Sequence, residues 1–367
     1  MGENRRGLLS TLVLVAVVAF SAQAEDKPAP MTPANAPAQR DGTVSVPAFE
    51  LPFSVYASEE ARRRLVSAAL DPPPWEPNAD IARQRELYDR HLMAPWLERA
   101  RAAYATDVEE RTIAGIRVHV VTPKEGVAKR NRHRVLVNLH GGAFSFGAVL
   151  GAQVESIPIA SVGRIKVITV DYRMAPEHRF PAASEDVAAV YRELLKEYRP
   201  ENIGIYGCSA GGMLTAMSLA WFQKEQLPTP GAAGIFCASA DASLDGDASY
   251  TSGPLGAQPM RAADRAGPAL PMAYLDQADL RDPLVSPQFS QATLAKFPPT
   301  LLLSGTRAFE FSSAVETHRQ LTNAGVEARL HAWDGVVHGF VYDVTQPEAR
   351  EAYAVAAKFF DHYLGSR

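Results

Sequence analysis

Asn202-Ile203-Gly204-Ile205-Tyr206-Gly207-Cys208-Ser209-Ala210-Gly211 is an apolar run that ends in a Gly-x-Ser-x-Gly turn, and a helical stretch from Gly212 to Gln226 follows it. A serine hydroxyl is a weak nucleophile at neutral pH. It becomes useful where a sharp strand-to-helix turn exposes it beside a base. The flanking glycines suit such a turn because they keep side chains away from Ser209. The new helix brings its N-terminus and the Ala210 N–H close to any oxyanion that develops there. Short Gly/Ser strings also arise by chance. The strand before this one and the helix after it set it apart.

Working outward, strand candidates are Glu109 to Ile113, Ile116 to Thr122, Arg134 to Leu139, Lys166 to Asp171, Ile203 to Tyr206, Gly234 to Ala238, Thr300 to Ser304 and Ala328 to Trp333. Helical stretches fall at Ala182 to Tyr198, Gly212 to Gln226, Ser312 to Ala324 and Pro347 to Leu364. Short apolar runs alternating with helices predict an α/β fold, with a mostly parallel central sheet and helices on both faces. Two more helices come before the first strand. One follows Ser58, an N-cap residue backed by Glu59 and Glu60; the other runs from Asn78 or Asp80 towards Tyr104. Neither can be a crossover of the sheet. Residues 48–106 are therefore expected to form an N-terminal helical cap, and residues 107–367 the catalytic domain. Asp241 to Lys296 is long for a connection and is expected to supply a lid or pocket wall.

The start of the chain has another character. Arg5 and Arg6, the apolar run Leu8 to Phe20 and the small-residue site Ala22-Gln23-Ala24 make a signal peptide over residues 1–24. The apolar run is short of the ~20 residues a membrane span needs. The mature chain is expected to be periplasmic or secreted, with no stable membrane span. Residues 25–47 read as a Pro/Ala-rich linker. The net charge of -4 over 367 residues, without a basic stripe bearing interleaved aromatics, argues against nucleic acid as a partner. Two cysteines, Cys208 and Cys237, read as buried small hydrophobes. With so few cysteines and no His-x-x-x-His spacing, no metal site is expected.

A second glycine-rich turn, His140-Gly141-Gly142-Ala143-Phe144, follows the apolar strand Val135 to Leu139. Successive glycines at a strand end let backbone N–H groups point at a ligand, as an oxyanion hole requires. By itself this could equally be an ordinary Gly-Gly turn; the Ser209 turn downstream favours the functional reading. A base must then come from the C-terminal part if the order is serine, acid, histidine. His338 fits, in a loop between the last strand and the last helix. His331 lies within a strand, His318 within a helix, and His178 in a turn-rich stretch.

Taken together, His140 to Phe144, Asp171-Tyr172-Arg173-Met174-Ala175-Pro176-Glu177, Gly207 to Gly211, Asp282-Pro283-Leu284-Val285-Ser286-Pro287 and Val337-His338-Gly339-Phe340 resemble the hormone-sensitive-lipase-like branch of the α/β-hydrolase superfamily. The resemblance covers about residue 50 to the end. It implies the α/β-hydrolase fold, an N-terminal helical cap, and hydrolysis of short- to medium-chain carboxylic esters without metal or cofactor.

Two positions depart from the family pattern. The third glycine after the histidine is Ala143, whose N–H is still available. The usual position of the triad acid, after Thr300-Leu301-Leu302-Leu303-Ser304-Gly305-Thr306-Arg307, is Ala308. Glu310 is the nearest carboxylate; Asp282, Asp334 and Asp241 are alternatives. The acid holds the histidine tautomer, and losing it in serine proteases costs roughly 10⁴-fold. The expected function is thus a serine carboxylesterase acting on a small-molecule ester. Ser209 is its nucleophile, His338 its base and Glu310 its acid. The N–H groups of Gly142, Ala143 and Ala210 form the oxyanion hole, with Gly141 shaping that loop. The alternatives are a hydrolase fold kept as a binding module, with catalysis weakened at Ala308, and an amidase or peptidase of the same fold. Asp171, Arg173 and Glu177 are expected to form a structural ion-pair network. Phe144, Phe146, Trp221 and Trp333 are expected in the core.

Overall fold

The computed structural model describes residues 39–44, 46, 50–255 and 272–365. The signal peptide expected over residues 1–24 lies outside the described residues, as does most of the linker expected over 25–47. By its internal contacts the chain divides into residues 1–51 and residues 52–367. Within the first unit, the Thr43 N–H donates to the Asp41 carboxylate at 3.0 Å.

In the second unit, eight strands form one sheet: β1 (Thr106–Ile113), β2 (Ile116–Pro123), β3 (Val135–Leu139), β4 (Lys166–Val170), β5 (Ile203–Cys208), β6 (Ala232–Phe236), β7 (Thr300–Gly305) and β8 (Ala328–Trp333). Their order is β1-β2-β4-β3-β5-β6-β7-β8. The β1–β2 and β2–β4 pairs are antiparallel, and every pair from β4 onwards is parallel. β3, β5, β6 and β7 are buried along their whole length. Strands covered on both faces read as unbroken apolar runs, which is how these four read in sequence.

The helices among the described residues are α1 (Glu59–Leu70), α2 (Ile81–Tyr88), α3 (Ala94–Ala103), α4 (Leu150–Gly163), α5 (Ala182–Leu194), α6 (Ala210–Lys224), α7 (Asp247–Thr251), α8 (Gln291–Leu294), α9 (Phe311–Asn323) and α10 (Pro347–Tyr363). Ser58 caps α1 by accepting from the Ala61 N–H. A π-helical turn, Asp89–Met93, joins α2 to α3. Alternate residues of each strand feed two cores. Val135, Val137 and Leu139 of β3 pack with α5, α6 and α9 on one face; Leu136 packs with α3, α4 and α10 on the other.

Three differences from the sequence expectations have physical causes. β1 starts at Thr106 instead of Glu109, because pairing with β2 runs the full length, from Thr106↔Pro123 to Ile113↔Ile116. Its mostly exposed, polar sequence carries no alternation to announce this. β6 lies two residues earlier than expected. Its register is set by β5, and Cys237, with φ 47°, has already left the strand. The third difference is α4, for which no helix was expected. Every residue from Gly151 to Ala160 is buried, and Pro158 sits inside the helix. A helix buried all round has no amphipathic stripe, and proline argues against helix wherever propensity is consulted.

Candidate active site

Ser209 alone makes the turn between β5 and α6, with φ 58° and ψ −125°. Such a conformation costs of order 1–3 kcal/mol and persists only where the surroundings impose it. Here they do. The Ser209 N–H donates to the Phe236 carbonyl at 2.8 Å, and its own carbonyl accepts from the Met213 N–H at 3.0 Å. A Cβ at Gly207 or Gly211 would overlap the Leu139 carbonyl oxygen, so the crossing of β3 and α6 leaves no space for side chains there.

His338 lies in the loop after β8 and reaches back to this turn. Its Nε2 is 2.9 Å from Ser209 Oγ, and its Nδ1 is 2.9 Å from Glu310 Oε2. A carboxylate only accepts, so Nδ1 carries the proton and Nε2 accepts from the serine hydroxyl. Glu310 is fully buried, and its other oxygen accepts from Ser304 Oγ at 3.1 Å. The Phe309 ring packs on the imidazole at a centroid distance of 4.4 Å. From α1, Arg64 donates to the Gly339 carbonyl at 3.1 Å and steadies the same loop.

Ala308 is buried in the turn before Glu310 and offers no polar atom. The other carboxylates are engaged elsewhere. Asp334 accepts from Ser54 and Thr306, Asp241 from the Ser243 N–H and hydroxyl, and Asp282 from the Leu284 N–H. Glu310 is thus the carboxylate in contact with His338.

The second glycine turn faces the serine. Gly142 has φ 111°, and Ala143 and Phe144, at 52° and 58°, are also left-handed. His140 anchors the loop from below. It is buried, stacks on Tyr172 at 4.2 Å, and its Nδ1 lies 2.8 Å from the Gly141 carbonyl. Burial holds its pKa below the usual imidazole value. The Gly141 N–H is spent on the Glu155 carboxylate at 2.7 Å. The N–H groups of Gly142 and Ala143 have no acceptor among the described residues. The Ala210 N–H opens α6, where first-turn donors lack intrahelical partners. Ala143 and Ala210 line one recess with Ser209, Gly142 adjoins Ala143 with its N–H also open, and the Gly141 N–H is committed to Glu155.

A narrow apolar recess opens onto this group. Ala143, Ser209, Ala210, Met213, Cys237, Leu244, Met272, Phe309 and His338 line it. Leu244 and Met272 belong to the long connection expected to supply a pocket wall. Both cysteines are buried and free. Asp171, Arg173 and Glu177 are structural but do not pair with one another: they bond to Arg117, to Glu185 and Asp186, and to Arg85, respectively. Phe144, Trp221 and most of Trp333 pack in the core, whereas Phe146 stacks on Tyr88 and meets Trp75. Glu155, buried beneath the site on α4, went unnoticed in the sequence because its helix did.

No helix among the described residues is long and apolar enough to cross a membrane. No group of His, Cys, Asp and Glu among them is placed to hold a metal ion.

Comparison with known proteins bears on this geometry. Residues 136–342 match the family model of the α/β-hydrolase fold. The chain is 31% identical over 232 residues to an acetyl-hydrolase of Streptomyces hygroscopicus, covering 63% of this chain and 76% of that protein. Among solved structures it is similar to the esterase E25, with 31% identity and a TM-score of 0.74 over 88% of this chain and 99% of that one. It is also similar to an esterase from the bacterial hormone-sensitive lipase family, with 25% identity and a TM-score of 0.71 over 84% of this chain and 100% of that one. The chain belongs to the α/β-hydrolase family, in its hormone-sensitive-lipase-like branch.

Proposed function

We propose that this α/β-hydrolase is a serine carboxylesterase that cleaves short- to medium-chain esters through an acyl-enzyme. The unbroken row Glu310–His338–Ser209, with both bonds at 2.9 Å, carries the reading. In the forward step Ser209 Oγ attacks the ester carbonyl while His338 Nε2 takes its proton. The resulting imidazolium is stabilised by Glu310. The oxyanion is held by the N–H groups of Gly142, Ala143 and Ala210, which cost no reorganisation when charge develops. His338 then protonates the leaving alkoxide. Water, activated by the same imidazole, releases the acid and restores Ser209.

The contact between Glu310 and His338 supports catalysis over a binding module, even with alanine at position 308. The apolar lining beside Ser209 favours an acyl group over a charged one, and the acetyl-hydrolase and esterases similar to this chain support ester substrates. Export is part of the proposal, resting on the charge and hydropathy of residues 1–24; N-terminal sequencing of secreted protein tests it, with cleavage expected after Ala24.

The decisive experiment is pre-steady-state hydrolysis of p-nitrophenyl acetate, butyrate and octanoate. The proposal expects a p-nitrophenol burst with the short esters that is absent in Ser209→Ala. A burst that survives Ser209→Ala would refute it.

A further inference from the structure

Glu155 sits on α4 directly beneath the site, and its carboxylate meets four donors. Oε1 accepts from the Gly141 N–H at 2.7 Å and the Tyr342 hydroxyl at 3.2 Å. Oε2 accepts from Asn138 Nδ2 at 3.0 Å and the Cys208 N–H at 3.2 Å. These donors come from three pieces of chain that must meet for catalysis. Gly141 and Asn138 lead into the Gly142–Ala143 turn. Cys208 precedes Ser209 and Ala210. Tyr342 follows His338 by four residues, in the same loop.

A carboxylate buried this deeply is expensive. Desolvation pushes the Glu155 pKa up to about 7, against the downward pull of the four hydrogen bonds. An apolar residue of similar size would stabilise a purely structural contact more cheaply. No step of the proposed reaction uses the group as acid, base or nucleophile. What an apolar side chain could not do is bind two backbone N–H groups on opposite sides of the oxyanion hole.

We propose that Glu155 is the positioning residue of the oxyanion hole: by accepting from Gly141 and Cys208 together it fixes the spacing between the Gly142–Ala143 donors and the Ala210 donor, and through Tyr342 it ties in the His338 loop. This rests on the reading of those three N–H groups as the hole. Only the ionised carboxylate accepts from all four donors. A proton on Oε2 would face the donors Asn138 Nδ2 and the Cys208 N–H, and a proton on Oε1 would reverse the bond to Tyr342, whose hydroxyl would then accept. Displacing a reacting group by about 1 Å can cost 10²-fold.

The ionisable groups facing Glu155 keep their charge across the neutral range. Burial raises the pKa of Tyr88, Tyr172, Tyr206, Tyr342, Tyr353 and the Cys208 thiol, which stay protonated. Arg64, beyond Tyr342 and Cys208, has its pKa lowered by burial from a very high starting value and stays a cation. Glu155 is thus the group among these whose charge changes near neutrality.

The test measures kcat and KM for p-nitrophenyl acetate from pH 5 to 9 on the full chain, for wild type, Glu155→Gln, Tyr342→Phe and Ser209→Ala. Glu155→Gln is expected to lower kcat by about 30- to 100-fold with KM within about 3-fold. The acid limb of log kcat/KM is expected to be less steep in Glu155→Gln than in wild type, by up to about one unit of slope. Tyr342→Phe, which removes one donor, is expected to lower kcat by about 3- to 10-fold and keep the steeper limb. A folded Glu155→Gln with kcat within about 3-fold of wild type, or with the wild-type slope, overturns the proposal. If Glu155→Gln shows no cooperative melt, Tyr342→Phe decides, and an unchanged kcat there overturns it. Full activity in Ser209→Ala, or none in wild type, would instead refute the esterase reading itself.

Discussion

Two strand-to-helix turns deliver the two ends of the proposed triad, and they are built to different tolerances. Between β5 and α6 a single residue, Ser209, reverses the chain at φ 58°, hemmed in by glycines whose missing side chains let the Leu139 carbonyl through. Between β7 and α9 the chain takes five residues, Thr306 to Glu310, and the acid reaches His338 from the last of them. The proposed nucleophile has to sit against the three donors of the proposed oxyanion hole, so its turn has no slack. The acid has only to meet one ring nitrogen. A glutamate two positions on, with one more methylene than aspartate, meets it from a different backbone site. The tight turn also rests on a buried charge, Glu155, whereas Glu310 is held by Ser304 and the imidazole it orients.

The largest expected effect breaks the loose side. Glu310→Gln presents an amide where the imidazole N–H needs an acceptor, and kcat is expected to fall by about 10⁴-fold, measured as steady-state turnover of p-nitrophenyl acetate. The tight side breaks through stability as well as rate. Gly211→Ala drives a methyl group into the Leu139 carbonyl and is expected to cost about 3 kcal/mol in urea unfolding.

The cost of the buried charge beneath the tight turn can be read from pH. The folded-state pKa of Glu155, about 7, lies above its ordinary 4.5. The folded protein therefore holds a proton that the unfolded chain releases between those values. The stability this contributes is complete below pH 4.5 and lost as pH rises towards 7. Glutamine does not titrate. The stability of wild type relative to Glu155→Gln is thus expected to fall by roughly 2–3 kcal/mol between pH 4.5 and 7.5, measured by denaturant titration at each pH.

A rescue sharpens the comparison. In a Glu310→Ala background, Ala308→Asp is expected to recover about 10²-fold in kcat if the five-residue turn has the slack described here. No recovery would mean that this turn is as constrained as the one at Ser209. The smallest effect is expected at Asp334. It lies four residues before His338 yet bonds to Ser54 and Thr306, so Asp334→Asn should change kcat by less than about 3-fold in the same assay.

The same contrast explains what could be read from the sequence. Tight geometry demands particular residues at fixed spacing, and Gly207 to Gly211, His140 to Ala143 and the isolated His338 carry that demand openly. The parallel core strands were legible because burial on both faces makes apolar runs. Glu310 could be named only as the nearest carboxylate, because a loose turn imposes no spacing. α4 was hidden by its own burial, since a helix covered all round shows no period, and Pro158 points away from helix. Glu155 was hidden with it. Its partners, two backbone N–H groups, an amide and a phenol, are brought together only where β3, β5, α4 and the loop after β8 meet.

The central claim is that Ser209, so placed, is the nucleophile. The most direct measurement is labelling of the full chain with a fluorophosphonate ester, followed by peptide mapping. One equivalent on the peptide bearing Ser209, with none in Ser209→Ala, is the predicted result. Label on another residue, or an active chain that takes up none, would contradict it.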